Sequence, residues 1–261
     1  MEIQFYKYQG TGNDFIMIDN RNGAISLTNE QVLFLCHRRF GIGADGLILL
    51  EYEPSFNFRM VYYNSDGNLS SMCGNGGRCI TAFAKHLGLI STHAKFSATD
   101  GAHEATLDKD GIVSLKMQDV KSMEEGGDFF YLNTGSPHYV KVVEDVENFD
   151  VFNEGRSIRN NERFKEEGTN VNFIEKKEEE LFVRTYERGV EDETFSCGTG
   201  VTAAALVAAV KGISSGKNNC LIKTKGGSLE VTFEKVLEQN FYNIWLKGPA
   251  LFVFKGSVTL N

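Results

Sequence analysis

Short apolar runs, alternating with polar residues or continuous over a few positions, recur along the chain and are punctuated by Gly, Asn and Asp. EIQFYKY (2–8), DFIMID (14–19), GLILLEY (46–52), FRMVYY (58–63), GIVSLKM (111–117), HYVKVV (138–143), LFVRTY (181–186), CLIKTK (220–225) and LEVTF (229–233) predict strands. Helices are fewer. TNEQVLFLCHRRFG (28–41) opens on a Thr28-x-x-Gln31 capping box and predicts a helix ending before Gly41, while residues 77–87 carry apolar side chains at 79, 80, 83, 84 and 87 and stop at Gly88. VTAAALVAAVKG (201–212) is apolar nearly all round, which predicts a helix buried inside a sheet.

The pattern repeats. Cys-Gly-x-Gly in SMCGNGGRCITAFA (71–84) returns in SCGTGVTAAALVAA (196–209), so that Cys197 follows Cys73 by 124 positions. FRMVYYN and LFVRTYER stand at the same offset, with Tyr62 matching Tyr186 and Asn64 matching Arg188, and Thr11-Gly12 maps onto Thr134-Gly135 at an offset of 123. Three segments in one order predict two homologous halves, about 1–120 and 121–249. GPALFVFKGSVTL (248–260) falls outside the repeat, and its strand (250–261) is expected to pack back on the first half.

Composition narrows the function. The 261 residues are 41% hydrophobic and 24% charged, enough for a core without covalent staples. A net charge of −8 repels nucleic acid and anionic membranes, and no window approaches the ~20 apolar residues of a membrane span. The N-terminal segment carries no basic-then-apolar leader pattern, so a cytoplasmic protein is expected, with no nucleic acid and no membrane as partners. Five scattered cysteines (Cys36, Cys73, Cys79, Cys197 and Cys220) read as reduced thiols, and Cys36, Cys79 and Cys220 as structural ones.

A cysteine at a helix N-terminus meets unpaired N–H groups and the positive end of the macrodipole, which favour the thiolate. Glycines after it let the backbone approach an anion. If the two halves face each other, the motifs converge on one cleft and suit stereoinversion, in which one thiolate removes a proton from a carbon and the opposite thiol returns one to the other face. No phosphate loop, no dinucleotide fingerprint and no metal-ligand histidine spacing competes, so neither metal nor cofactor is expected. A racemase of another small amino acid, or a ligand-binding module with redox-sensitive thiols, remains compatible with the paired motif alone.

GTGNDFIMID, FGIGADG, YNSDGNLSSMCGNGGRC, GTNVNF and YERGVEDETFSCGTG together resemble the diaminopimelate epimerases over essentially the whole chain. The double cysteine is also similar to that of the proline racemase group, but the YN, TN and YERG elements favour the former. The resemblance implies an α+β fold of two pseudosymmetric domains, each a mostly antiparallel sheet rolled around a central helix, with the active site in the cleft between them. It also implies a PLP-independent isomerase of lysine and peptidoglycan precursor synthesis, a homodimer acting on diaminopimelate. By the same resemblance Cys73 and Cys197 are the acid/base pair, and Gly74, Asn75, Gly198 and Thr199 surround the reacting carboxylate. Asn13, Asn64, Asn170, Glu187 and Arg188 contact substrate, chiefly its distal end, while His138 and Glu187 tune the cysteines. Gly46 stands where the family commonly has Gln, and Ser136 where it has Asn.

Overall fold

The computed structural model describes residues 1–260, and the chain divides into two units, Met1–Leu115 with Gly248–Asn261 and Lys116–Lys247. The first begins with β1 (Glu2–Gly10), β2 (Asn13–Asp19), α1 (Asn29–Cys36), β3 (Gly46–Glu51), β4 (Phe58–Asn64) and β5 (Leu69–Ser70). It continues with α2 (Gly74–His86), β6 (His93–Ala98), β7 (Gly101–Leu107) and β8 (Ile112–Lys116). The second holds β9 (Glu124–Glu125), β10 (Phe130–Asn133), β11 (Pro137–Val142), α3 (Val151–Arg159), β12 (Asn170–Lys177), β13 (Glu180–Glu187) and β14 (Asp192–Thr194). It ends with α4 (Gly198–Lys211), β15 (Asn219–Thr224), β16 (Gly227–Leu237) and β17 (Asn240–Pro249); β18 (Leu251–Thr259) belongs to the first unit and pairs antiparallel with β1.

One topology is used twice. In the first unit β1 and β2 form an antiparallel hairpin, β2 runs parallel to β3, β3 pairs antiparallel with β4, and β4 runs parallel to β6 before the β6–β7–β8 meander. In the second unit β10 and β11 form the hairpin, β11 is parallel to β12, β12 antiparallel to β13, and β13 parallel to β15 before the β15–β16–β17 meander. Both hairpins turn on the Thr-Gly pairs, where Gly12 (φ 84°) and Gly135 (φ 108°) take a backbone that disfavours a Cβ. The fold is α+β, mostly antiparallel, in two pseudosymmetric domains. The strands of each wrap a helix: α2 packs on β1, β2, β3 and β7, and α4 on β11, β12, β13 and β15.

The near-uniform apolarity of α4 follows from that position. Val201, Leu206 and Val207 are fully buried (0% exposed), each adding roughly 1.5–3 kcal/mol by leaving water. Gly212, left-handed at φ 70°, stops the helix.

Three local outcomes differ from the sequence pattern. α1 has the expected Thr28–Gln31 capping box but ends at Cys36, because His37 is extended and the chain folds back, with Ile42 and Gly43 N–H groups donating to the Leu35 carbonyl. A Cβ at Gly41 would run into the Phe34 backbone, so only glycine closes that turn. α2 begins at Gly74 rather than residue 77; a Cβ at Gly77 would lie 2.9 Å from Leu115 Cδ2 and Met72 Sδ, so packing overrides the low helix propensity of glycine. Strands β6, β7, β10, β12 and β17 and helix α3 arise from segments with weaker alternation, and α3 buries only Val151 and Gly155.

Candidate active site

In the first unit Cys73 is the N-cap of α2, extended at φ −105°, ψ 149°, and its Sγ accepts the Gly76 N–H at 3.2 Å. A sulfur in this place collects an otherwise unused helix N–H and the positive end of the dipole, both of which favour thiolate. Gly76 leaves room for it, since a Cβ there would stand 3.1 Å from Cys73 Sγ. Gly74 and Asn75 open the helix, and Asn75 is buried (3% exposed). The Asn75 amide donates to Asn13 Oδ1 at 3.2 Å, and Asn13 in turn donates to Asp45 at 2.7 Å, so three residues from separate elements form one chain. Arg38 braces Asp45 and Asp14 at 2.6 and 2.7 Å. Burial works against the charge of Asp14, but hydrogen bonds from Arg38 and Lys7 hold its carboxyl down at about 2.

Asn64 ends β4 directly opposite Gly46 of β3. Its side-chain amide makes no hydrogen bond among the described residues. The space a longer residue at 46 would need is filled: a Cβ on Gly46 would lie 2.5 Å from Tyr62 Cε2 and 2.7 Å from the Tyr63 carbonyl oxygen.

In the second unit Cys197 caps α4 and is buried (7% exposed); its Sγ lies 3.5 Å from Thr199 Oγ1. Unlike Cys73, its side chain takes no capping N–H. Gly198 and Thr199 form the first turn, and Thr134 Oγ1, in the hairpin turn, donates to the Thr199 carbonyl at 2.8 Å. His138 on β11 is fully buried (0% exposed), with Nδ1 3.1 Å from the Asn172 amide nitrogen and Nε2 without a hydrogen-bond partner among the described residues. Burial, reinforced by the Arg188 charge, pushes this imidazole down from 6.5 to about 3.

Asn170, beside His138 in the parallel β11–β12 pair, donates to Ser136 Oγ at 2.7 Å and to the Pro137 carbonyl at 3.1 Å, while accepting the Arg188 N–H at 2.9 Å. It thus ties the strand holding His138 to Arg188. Ser136 makes that hydrogen bond in place of the expected Asn. Arg188 is exposed, donates to the Glu167 carbonyl at 2.9 Å, and has no carboxylate partner among the described residues. Glu187 accepts a hydrogen bond from Thr194 at 2.8 Å.

Each unit therefore gathers its own share of the expected residues: Cys73, Gly74, Asn75 and Asn13 in one network, His138, Asn170 and Arg188 in another, with Cys197, Gly198 and Thr199 at the head of α4. The sequence pattern did not single out Asp45, Asn172 or Arg78, polar residues that hold these networks from behind, and Thr134 entered it only as part of the Thr-Gly repeat. Cys36, Cys79 and Cys220 are free, buried thiols raised by burial to about 12, 12 and 11, inert positions as expected.

The diaminopimelate epimerase family profile matches residues 5–123 and 130–253. A diaminopimelate epimerase of Flavobacterium psychrophilum is 52% identical over 258 residues, covering 98% of this chain and all of the relative. One of Chlorobaculum tepidum is 44% identical, covering 96% of this chain and 99% of its own. Among solved structures, a phenazine biosynthesis protein of the PhzF family from Bacillus anthracis superposes with a TM-score of 0.77 at 14% identity, covering both chains fully. A probable proline racemase from Agrobacterium radiobacter gives 0.71 at 14% identity over 99% of this chain and 93% of its own, so the two share the fold. This chain belongs to the diaminopimelate epimerase family.

Proposed function

We propose that the protein interconverts LL- and meso-diaminopimelate by two-base proton transfer between Cys73 and Cys197, without PLP or another cofactor, in lysine and peptidoglycan precursor synthesis. Membership of the family at 52% identity over nearly the whole chain carries this reading. The matched N-cap cysteines of α2 and α4 support the mechanism. One thiolate takes the α-proton, the electron pair is delocalised toward the α-carboxylate, and the other thiol protonates the opposite face. N–H groups at residues 74–75 and 198–199 stabilise the carboxylate charge. Asn13, Asn64, Asn170, Glu187 and Arg188 orient the substrate, Arg188 through the distal carboxylate, while His138 and Glu187 set the proton affinity of the thiols. The catalytic halves are about residues 1–120, with the C-terminal strand, and 121–249.

The same reading makes the protein a cytoplasmic homodimer with no nucleic acid or membrane partner. A net charge of −8 supports the last point, and no described helix is long and apolar enough to cross a membrane. Dimerisation is supported by β18, where Leu251, Phe252, Val253 and Phe254 are 44–53% exposed in succession. Incubation with LL-diaminopimelate in heavy water tests the assignment. Deuterium should enter the α-carbon as the meso isomer appears, and its absence would return the racemase of another amino acid to first place.

A further inference from the structure

Arg78 has no solvent exposure (0%), yet every hydrogen bond it makes is to a neutral acceptor. Nη2 donates to Thr11 Oγ1 and Asn75 Oδ1, both at 3.1 Å, Nη1 to the Gly74 carbonyl at 3.3 Å and Nε to the Pro249 carbonyl at 3.4 Å. No carboxylate pairs with it among the described residues. Gly10 makes room for it, since a Cβ there would sit 3.3 Å from Nη2. A cation taken out of water is strongly disfavoured unless a negative charge lies near. The groups whose negative forms favour its charge are the thiols of Cys79 and Cys73. Cys79, fully buried and raised to about 12, stays protonated, which leaves Cys73 at the head of the same helix.

The repeat sharpens the contrast. Thr202 is the counterpart of Arg78 at the offset of the two cysteines, equally buried but neutral, its hydroxyl donating to the Gly198 carbonyl at 3.0 Å. Matching positions of the two cysteine helices thus hold a cation in one half and a neutral hydroxyl in the other. We infer that Arg78 is a positioning residue that serves as the buried counter-cation of Cys73, so that Cys73 is the thiolate and Cys197 the thiol of the resting protein. Through Thr11, Gly74 and Asn75 the same guanidinium holds the first turn of α2 against the β1–β2 hairpin. The carboxylates of the surrounding segments are paired with other cations. Asp14 is paired with Lys7 and Arg38, Asp45 with Arg38, and Asp100, which accepts the Met72 N–H, is paired with His103.

The role given to the thiolate rests on the two-base reading, but the charge pairing is measurable without substrate, so the two fail separately. Alkylation by iodoacetamide across pH, with peptide mass mapping, gives a separate midpoint for residues 73 and 197. In the wild type the midpoint for Cys73 should lie at least one pH unit below that for Cys197. In Arg78→Met, which fills a similar volume, the Cys73 midpoint should rise by at least one unit while that of Cys197 stays put, and Arg78→Lys should restore much of the difference. An unchanged Cys73 profile in folded Arg78→Met, or equal shifts at both thiols, would overturn the inference. Should Arg78→Met fail to fold, the wild-type order decides: a Cys197 midpoint at or below that of Cys73 overturns it, and the reverse order together with a raised Cys73 midpoint in Arg78→Gln supports it.

Discussion

The side-chain amide of Asn172 fixes the tautomer of His138. Its nitrogen donates to the Tyr139 carbonyl at 3.0 Å, a group that can only accept, and the same nitrogen faces His138 Nδ1 at 3.1 Å. Thr185 Oγ1 donates to the amide oxygen at 2.9 Å, which holds the orientation from the other side. Nδ1 is therefore the acceptor, and the proton of the neutral ring sits on Nε2. A Cβ on Gly200 would crowd Asn172 Oδ1 and approach His138 Cε1 to 3.3 Å, so the pair lies close against α4.

This neutral imidazole makes stability depend on pH. The unfolded chain takes up the proton near 6.5, whereas the folded one does so only near 3, so between those values the unfolded state binds more protons. Stability is fully present above pH 6.5 and is lost as pH falls toward 3. Urea midpoints should report a loss of about 2 kcal/mol from this residue between roughly pH 7.5 and 5. His138→Gln should flatten the profile in that window; a wild-type profile already flat there would refute the buried neutral state.

Cys73→Ala and Cys197→Ala should each reduce inversion at least ~100-fold, the lower range of what a positioned acid or base supplies. Circular dichroism should show both variants folded, because Cys73 is only half-buried and the alanine at 197 removes a single sulfur. Turnover near wild type in either variant would exclude a two-base reaction.

Arg188→Met should act on recognition. Its guanidinium is exposed and holds only a backbone carbonyl, so the fold does not depend on an ion pair there. Removing one partner of a charge-assisted pair with substrate costs about 2–5 kcal/mol, so KM should rise roughly 30-fold or more. An unchanged KM would remove Arg188 from the site.

Gly46→Gln, which restores the residue common in the family, should destabilise the protein rather than improve it. The Tyr62 ring and Tyr63 carbonyl occupy the space its Cβ needs, and overpacking of this kind costs typically about 1–3 kcal/mol. Thermal melts of Gly46→Ala and Gly46→Gln would check this, and a raised melting temperature in either would mean that the ring moves aside freely.

The repeat, both cysteine helices and ten of the strands were legible because each rests on a local signal: alternation, a short apolar run, a glycine stop or a capping pair. Arg78 was not. An arginine inside an otherwise apolar helix reads as the solvent face, and only the enclosing hairpin and Pro249 show that it is buried. Asn170 was named through the family resemblance alone, and its bonds to Ser136, Pro137 and Arg188 join residues 18 to 34 positions apart, beyond any local pattern. Helix α3 was missed because only two of its nine residues are buried.

The pairing of β18 with β1 sets an order of assembly. Gln4 lies opposite Ser257 and Glu2 opposite Thr259, so this edge of β1 stays unpaired until β18, far downstream, has been made. The second unit is continuous in sequence, so during synthesis it can fold while the first still exposes an unpaired edge. Vectorial synthesis thus runs against the numbering of the halves: the one begun first is the one completed last.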